Sequence, residues 1–582
     1  MLHHLLHPLK LAWGERIALF WPIWAAITAI GVMLVIRVVP ARSNTPLEQT
    51  EHQRHCWSRA DTIAAVFLCL FLGCYVAGSL VWEDFTYYDN SHFTNGTLVG
   101  HDIPRQISPE AGRFWPLGHQ EFNLLRHFTH SITGYHALRI FQVLFMCAIL
   151  LFLDGELSVR ARVGLILLLL ITPSILISFS GLIYPEANVM FWLVCLMWSV
   201  KSFEQSRSIA WAMAAMIASQ FLLYYKETAF LLLFGFAAGR LLLRCWRIND
   251  AGWDFKRLQD PESRLDLCLA FMVVPYFLYY LAAMFPTFGM GYNKESRLPL
   301  FQVIVSYLKL DVVVWILVAA TAVRIVLILR RRVLPSPFWD GLALAGIGCF
   351  ASYVILHMVS SYYLAPVDLI AVLYLGRLAF LSIGTTHVAF RLCALALLSL
   401  VCLQDCSLSW FRMYERKNVI HAKAEIGHVI EGRYKSDPQS VRRLFFPFAN
   451  SFHIMEFASY LSYIGVPVEE LPAGSRTGIG VFLAGKTIQK DGPCGYRAFV
   501  CHPGQTPGSG DLVVVLPDDL TSIDESNRYR LGGSALLFSY DPRPPIPQCA
   551  RPFVNHLHVV SPVFSNQRLP DSWLKASVSI WN

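Results

Sequence analysis

Apolar runs of bilayer-spanning length recur along most of this chain, broken by short polar connections. A helix needs about 20 apolar residues to cross a bilayer. The runs fall, approximately, at 17–39, 61–82, 137–153, 163–180, 187–203, 209–225, 228–245, 265–286, 310–329, 341–359, 366–383 and 388–408. This predicts a mainly α protein, a polytopic transmembrane helical bundle of about twelve spans. From roughly residue 411 the pattern changes, and Pro, Gly, Asp and Arg become frequent. There Arg443–Phe448, Asp511–Leu516 and Ala535–Tyr540 read as strands and Ser451–Ile464 as an amphipathic helix. That order predicts a small soluble α/β domain. The expected organisation is therefore an extra N-terminal span and its connection (1–60), a transmembrane domain (61–410) with a long first outer loop (83–136), and a C-terminal extracytoplasmic domain (411–582).

Composition supports the membrane reading. The 582 residues are 55% hydrophobic and 15% charged, whereas soluble domains carry about 25% charged residues. The formal net charge of +8 fits basic cytoplasmic connections better than a nucleic-acid surface. Fourteen cysteines occur without a CxxC pair, so neither a zinc site nor a thioredoxin-like motif is indicated. Cys494, Cys501 and Cys549 fall in the C-terminal region, where an oxidising compartment would allow two of them to pair. Arginine and lysine mark alternate connections: Arg37 to Arg59, Arg160 and Arg162, Lys201 and Arg207, Arg240 to Arg264, Arg330 to Arg332, and Arg377 with Arg391. By the positive-inside rule these face the cytoplasm. The opposite face then receives the first loop, Ser180–Glu186, Tyr225–Thr228, Phe288–Leu308, Ser360–Ala365 and the C-terminal region. The first span is the uncertain one; lying in the interface instead would place the N-terminus in the cytoplasm.

The outer face concentrates the chemistry. Glu83, Asp84 and Asp89 follow a span directly, interleaved with Trp82, Phe85, Tyr87 and Tyr88. Carboxylates beside a low-dielectric slab have raised pKa values, which suits a general base near neutral pH. Asp102, Arg105, Glu110, Arg113 and Glu121 continue the loop. IYPE places Glu186, YKET places Lys226 and Glu227, GYNKESR places Lys294 and Arg297, and SYYLAP places Tyr362 and Tyr363 at other outer ends. Each has a bland reading beside the functional one: a solvated loop, a snorkelling lysine, a helix N-terminal acid, an interface aromatic belt. His119, His127, His130 and His136 also cluster after the loop, and Asn95-Gly96-Thr97 forms a glycosylation triplet.

In order and in sidedness these motifs resemble the GT-C superfamily of membrane glycosyltransferases. The likeness is to the bacterial relatives of protein O-mannosyltransferases and of the aminoarabinose transferases that modify lipid A. The features are the acidic pair Glu83-Asp84 after an early span, GRFWPLG (Gly112 to Gly118), YPE and YKET at later outer ends, and YYLAP before a soluble domain. The resemblance covers roughly residues 61–410. It departs in the extra first span, in Glu-Asp where Asp-Asp or Asp-Glu is commoner, and in a C-terminal domain with no matching residue.

The resemblance implies inverting transfer of a sugar from a polyprenyl-phosphate carrier to an acceptor hydroxyl on a glycan, lipid or protein, at the outer face of a bacterial inner membrane. It implies Asp84 as general base, with Glu83 as alternate. Lys226 matches the family's donor-phosphate lysine, and Arg113 and Arg297 are further phosphate candidates. Glu186 holds sugar hydroxyls or orients Lys226. Glu227, Asp89, Glu121, Tyr362 and Tyr363 complete the substrate-orienting set. A divalent metal, Mg or Mn, is compatible with three clustered acids. The rival classes are a transporter or flippase of lipid-linked saccharides and a polysaccharide polymerase or ligase. A transporter is expected to show internal repeats and mid-span charges. Repeats are not evident here, and the acids sit at span ends.

Overall fold

The computed structural model describes residues 19–39, 58–79, 91–108, 113–247, 252–284, 298–381, 420–438, 443–446, 451–468, 480–483, 501–503, 510–516, 534–540 and 576–581. Its helices are α1 (Phe20–Val38), α2 (Arg59–Ser79), α3 (Ser91–Leu98), α4 (Gln120–Leu125), α5 (Ile132–Leu153), α6 (Val159–Ile171), α7 (Pro173–Ser180), α8 (Pro185–Ser206), α9 (Ile209–Tyr225), α10 (Ala229–Cys245), α11 (Pro261–Phe271), α12 (Val273–Met284), α13 (Leu300–Leu310), α14 (Val312–Leu329), α15 (Pro337–Ile355) and α16 (Ala365–Leu381). Eleven of the twelve expected spans fall on these helices; the run 388–408 lies outside the described residues.

Local chemistry sets many helix starts. Pro173, Pro185, Pro261 and Pro337 open α7, α8, α11 and α15, where a missing N–H costs nothing. Ser131, Ser158 and Asp311 cap α5, α6 and α14 through their side-chain oxygens. Thr172-Pro173 breaks one expected span into α6 and α7, which meet at 67°.

Among the described residues, seven helical segments are long and apolar enough to cross a membrane, or eight if the bent pair counts as one. Helices α9 and α10, at 17 residues each, are just short of a spanning length, and α8 carries Glu186, Lys201 and Glu204 along its 22 residues. They form the middle of the bundle, with Leu193, Val194, Met197, Leu222, Leu223, Leu233 and Phe236 completely buried. Protein surrounds them rather than lipid, so they tolerate polar side chains that a lipid-facing helix excludes. Helices α1 and α2, by contrast, leave most of their length exposed. Helices α10 and α15 approach closely through Gly235, Gly239 and Gly341: a Cβ at Gly235 would lie 2.8 Å from the Ala345 Cα.

The first span crosses the bundle. Its Phe20 and Trp21 rings lie 5.5 and 5.3 Å from the Arg105 guanidinium of the first loop. At the other end the Val38 carbonyl accepts from Arg264 at 3.0 Å. Residue 19 therefore sits on the face of the first loop, and residue 39 on the face of the basic connections.

The C-terminal domain is α/β, as its pattern predicts. Strands β5 (Arg443–Phe446), β6 (Gly480–Leu483), β7 (Cys501–Pro503), β8 (Leu512–Val515), β9 (Ser534–Tyr540) and β10 (Ala576–Trp581) follow β1 (Gln106–Ser108) and β2 (Arg113–Trp115) of the first loop and the two-residue pair β3 (Trp246–Arg247) and β4 (Gly252–Trp253). The sheet order is β7-β6-β5-β8-β10-β9. Strands β5 to β8 are parallel, and β10 runs antiparallel to β8 and β9. Helices α17 (420–436) and α18 (Ser451–Tyr463) cover this sheet, burying Ile426, Ile430, Phe457 and Leu461 against Leu444, Leu512 and Val514. Cys494 and Cys549 lie outside the described residues.

Candidate functional site

Three segments far apart in sequence meet at the loop face: GRFWPLG, the start of α8, and the turn from α9 to α10. The first is pinned by main-chain bonds. Phe114 N donates to Glu227 Oε1 at 2.9 Å, and Leu117 N donates to the Tyr224 carbonyl at 3.1 Å. The Phe114 ring fills a cage of Tyr224, Tyr276, Tyr279 and Tyr280. Gly118 closes the turn because the Trp115 ring folds back on it; a Cβ there would come within 2.4 Å of the indole.

Lys226 lies at the centre. Its ammonium is 2.9 Å from Glu186 Oε1, and both side chains are buried. It also lies 5.2 Å from the Trp115 ring centroid and 4.8 Å from that of Tyr363. The Arg113 guanidinium is 5.3 Å from the same Trp115 ring. Two cations thus share one indole, an arrangement stabilised by the ring quadrupole and opposed by their own repulsion. Burial works against the charge of Lys226. Glu186, then Tyr363 and Glu227, outweigh it, and Lys226 is held above the ordinary lysine value, with Arg113 pulling the other way. Glu186 Oε2 has no hydrogen-bond partner among the described residues. Around this pair Tyr184 packs on Tyr362 at 4.4 Å, Tyr362 on Tyr363 at 4.5 Å, and Tyr363 on Tyr353 at 5.3 Å. Thr228 and Tyr353 share a hydroxyl hydrogen bond of 2.9 Å.

The site residues read from the sequence therefore divide. Lys226, Arg113, Glu186, Glu227, Tyr362 and Tyr363 come together. Glu121 sits apart, on the far side of the first turn of α8. It accepts from Arg139 at 3.1 Å and Asn188 at 2.6 Å, and Arg139 also bonds Gln142, Asn188 and the Leu182 carbonyl. Glu83, Asp84, Asp89 and Arg297 lie outside the described residues. Among the described residues no three His, Cys, Asp or Glu side chains converge as metal ligands. Sequence reasoning missed Trp115, Arg139, Gln142 and Asn188. Arg139, Gln142 and Asn188 are polar residues at the loop-face ends of apolar runs, which was a usable signal. Nothing in the sequence distinguishes Trp115 from an interface anchor.

The Asn95 triplet is not a free acceptor. Asn95 is fully buried, its amide donates to Ser459 Oγ at 3.1 Å, and the Thr97 hydroxyl bonds the Thr94 carbonyl and Tyr135.

No protein-family model matches the chain, and no curated protein matches it. Among solved structures, ArnT from Cupriavidus metallidurans bound to undecaprenyl phosphate is similar over 83% of this chain and 97% of that one, at 12% identity and a TM-score of 0.43. Identity and TM-score at that level leave the reading of this chain to its own residues.

Proposed function

We propose that this protein is a membrane glycosyltransferase that moves a sugar from a polyprenyl-phosphate carrier to an acceptor hydroxyl at the extracytoplasmic face. The observation that carries the reading is the placement of Lys226 and Arg113 on one indole. Two cations near one ring at the loop face, Lys226 held by Glu186 and Arg113 partly exposed, suit a phosphate ligand. In the transfer, the acceptor oxygen attacks the anomeric carbon, the bond from that carbon to the phosphate oxygen breaks, and polyprenyl phosphate leaves. Negative charge grows on the departing phosphate, and fixed cations there stabilise the transition state. Asp84, or Glu83 in its place, takes the hydroxyl proton. Glu186 holds Lys226 charged and in position. The tyrosines 184, 362 and 363 offer ring edges and hydroxyls to a sugar, with Tyr353 packed behind Tyr363.

The test uses polyprenyl phosphate as the probe and the purified full-length protein. Lys226→Met should weaken its binding by at least about tenfold per folded molecule, the loss of one charge-assisted contact, and should also lower stability, because it leaves the buried Glu186 without its cation. Binding of parental strength would return Lys226 to a structural role and remove the reading. Mass spectrometry of lipid-linked sugars in cells with and without the gene then identifies the donor as the species that accumulates.

A further inference from the structure

Going beyond the transfer reading, we propose that the C-terminal domain is a positioning element of the loop-face site, acting through a clamp between α18 and α3. Helix α18 packs along α3, and Asn95 is joined to Ser459. Tyr463, at the end of α18, packs against a second apolar cluster: Leu98, Ile103, Phe122, Ile132, Tyr135, Leu182 and Ile183. That cluster is separate from the core of the membrane bundle. Its members come from α3, the first loop, α4, the start of α5 and the connection before α8.

Two lines of connection run from this clamp to the site. Ile183 is followed by Tyr184, which stacks on Tyr362, and by Glu186, which holds Lys226. In the other direction, α3 begins at Ser91, directly after the acidic stretch 82–90 in the chain. Helix α3 is held on both sides, to Tyr135 through Thr97 and to Ser459 through Asn95. A domain serving only solubility or an unrelated partner has no need to bury an asparagine side chain against the first loop. A buried amide that loses its partner costs about 1–3 kcal/mol, so the contact is specific in register.

Hydrogen–deuterium exchange on the full-length protein tests the clamp without depending on transfer. Tyr463→Ala should raise exchange over 82–98 several-fold, while α9 and α10 keep parental protection. Exchange that rises only within 420–581 would overturn the proposal. A disulfide between Asn95→Cys and Ser459→Cys covers the case in which Tyr463→Ala does not fold. Its oxidised form, confirmed by the cross-linked peptide, should lower exchange over 82–98 below the parental level, and unchanged exchange would overturn the clamp. Polyprenyl phosphate affinity should fall in Tyr463→Ala and stay parental in the oxidised disulfide variant; raised exchange with parental affinity would leave the contact purely structural and overturn the proposal, whereas failure of the donor site itself is read from Lys226→Met.

Discussion

Buried charge is placed in two layers, one at each face of the bundle, and the layers are built differently. At the face of the basic connections, Arg240 meets Asp266 at 2.8 Å and Glu204 at 3.1 Å, and Arg244 meets Glu204 at 2.5 Å and Asp266 at 3.4 Å. Arg207 pairs with Glu262, Arg324 with Asp340, and Arg377 with Asp154 and Glu156. Tyr374 donates to Asp340 as well, at 2.9 Å. Each of these arginines already has its carboxylate. At the loop face, Lys226 and Arg113 rest on an aromatic ring, Glu227 is held by a main-chain N–H, and Glu186 keeps one oxygen without a hydrogen-bond partner. The first layer ties helix ends together through paired arginines and carboxylates. The second pairs Lys226 with Glu186 and sets Lys226 and Arg113 against one indole, where the proposed phosphate would bind. Removing a charge should therefore cost fold at the face of the basic connections, and both fold and function at Lys226.

The largest expected effect is on function at the loop face. Asp84→Asn should lower transfer by about 10²–10⁴-fold, the usual loss of a general base, with no change in thermal stability. Glu83→Gln should cost less, since two adjacent carboxylates beside a membrane resist ionising together and the second tunes the first. The reverse ranking moves the base to Glu83 and keeps the mechanism. Parental transfer rates in both variants and in the double variant would end the transferase reading of that stretch.

Next comes a stability effect at the opposite face. Arg240→Met leaves the fully buried Asp266 without its closest cation, and breaking one side of a buried ion pair costs about 3–5 kcal/mol. Unfolding in detergent should show that loss, while turnover per folded molecule stays near parental. A variant as stable as the parent would mean that the two layers do not differ as described.

A smaller effect belongs to Arg113, which is partly exposed where Lys226 is buried. Arg113→Gln should weaken polyprenyl phosphate binding by about tenfold, near 1.4 kcal/mol, and leave the rate at saturating donor almost unchanged. A loss in rate with affinity intact would move Arg113 from donor binding to the transition state.

The two layers were not equally legible in the sequence. Span positions came from apolar periodicity, and the structure follows them, because bilayer thickness constrains length strongly. The convergence of GRFWPLG, YPE, YKET and YYLAP followed from sidedness, since short connections alternate faces. What the sequence withheld was pairing. Glu121 looks like a substrate ligand in the string of loop acids, yet it is bonded to Arg139 and Asn188. Arg139 lies 18 residues beyond Glu121 and Asn188 lies 67, and no local rule connects them. The C-terminal strands were readable one by one, whereas the docking of α18 on α3 joins residues 364 apart.

The smallest expected effect is an absence of change, and it discriminates sharply. A buried lysine without an acid beside it loses its proton near neutral pH, because burial disfavours the charged form. Lys226 has Glu186 beside it, and the balance raises its pKa above 10.5. A raised folded value means that the pair's contribution to stability is complete below the ordinary lysine pKa and is lost as pH rises through the folded one. Arg113 stays charged throughout, and a phosphate monoester probe is dianionic above about pH 7. Binding of polyprenyl phosphate should therefore be flat between about pH 7.5 and 10, below the ordinary lysine pKa, and fall only beyond that. Glu186→Gln should bring the fall to lower pH, since it leaves burial without its main opponent. A parental profile that already declines near pH 8 would show that Glu186 does not hold the lysine charged. The loop-face layer would then lack the cation on which its contrast with the opposite face depends.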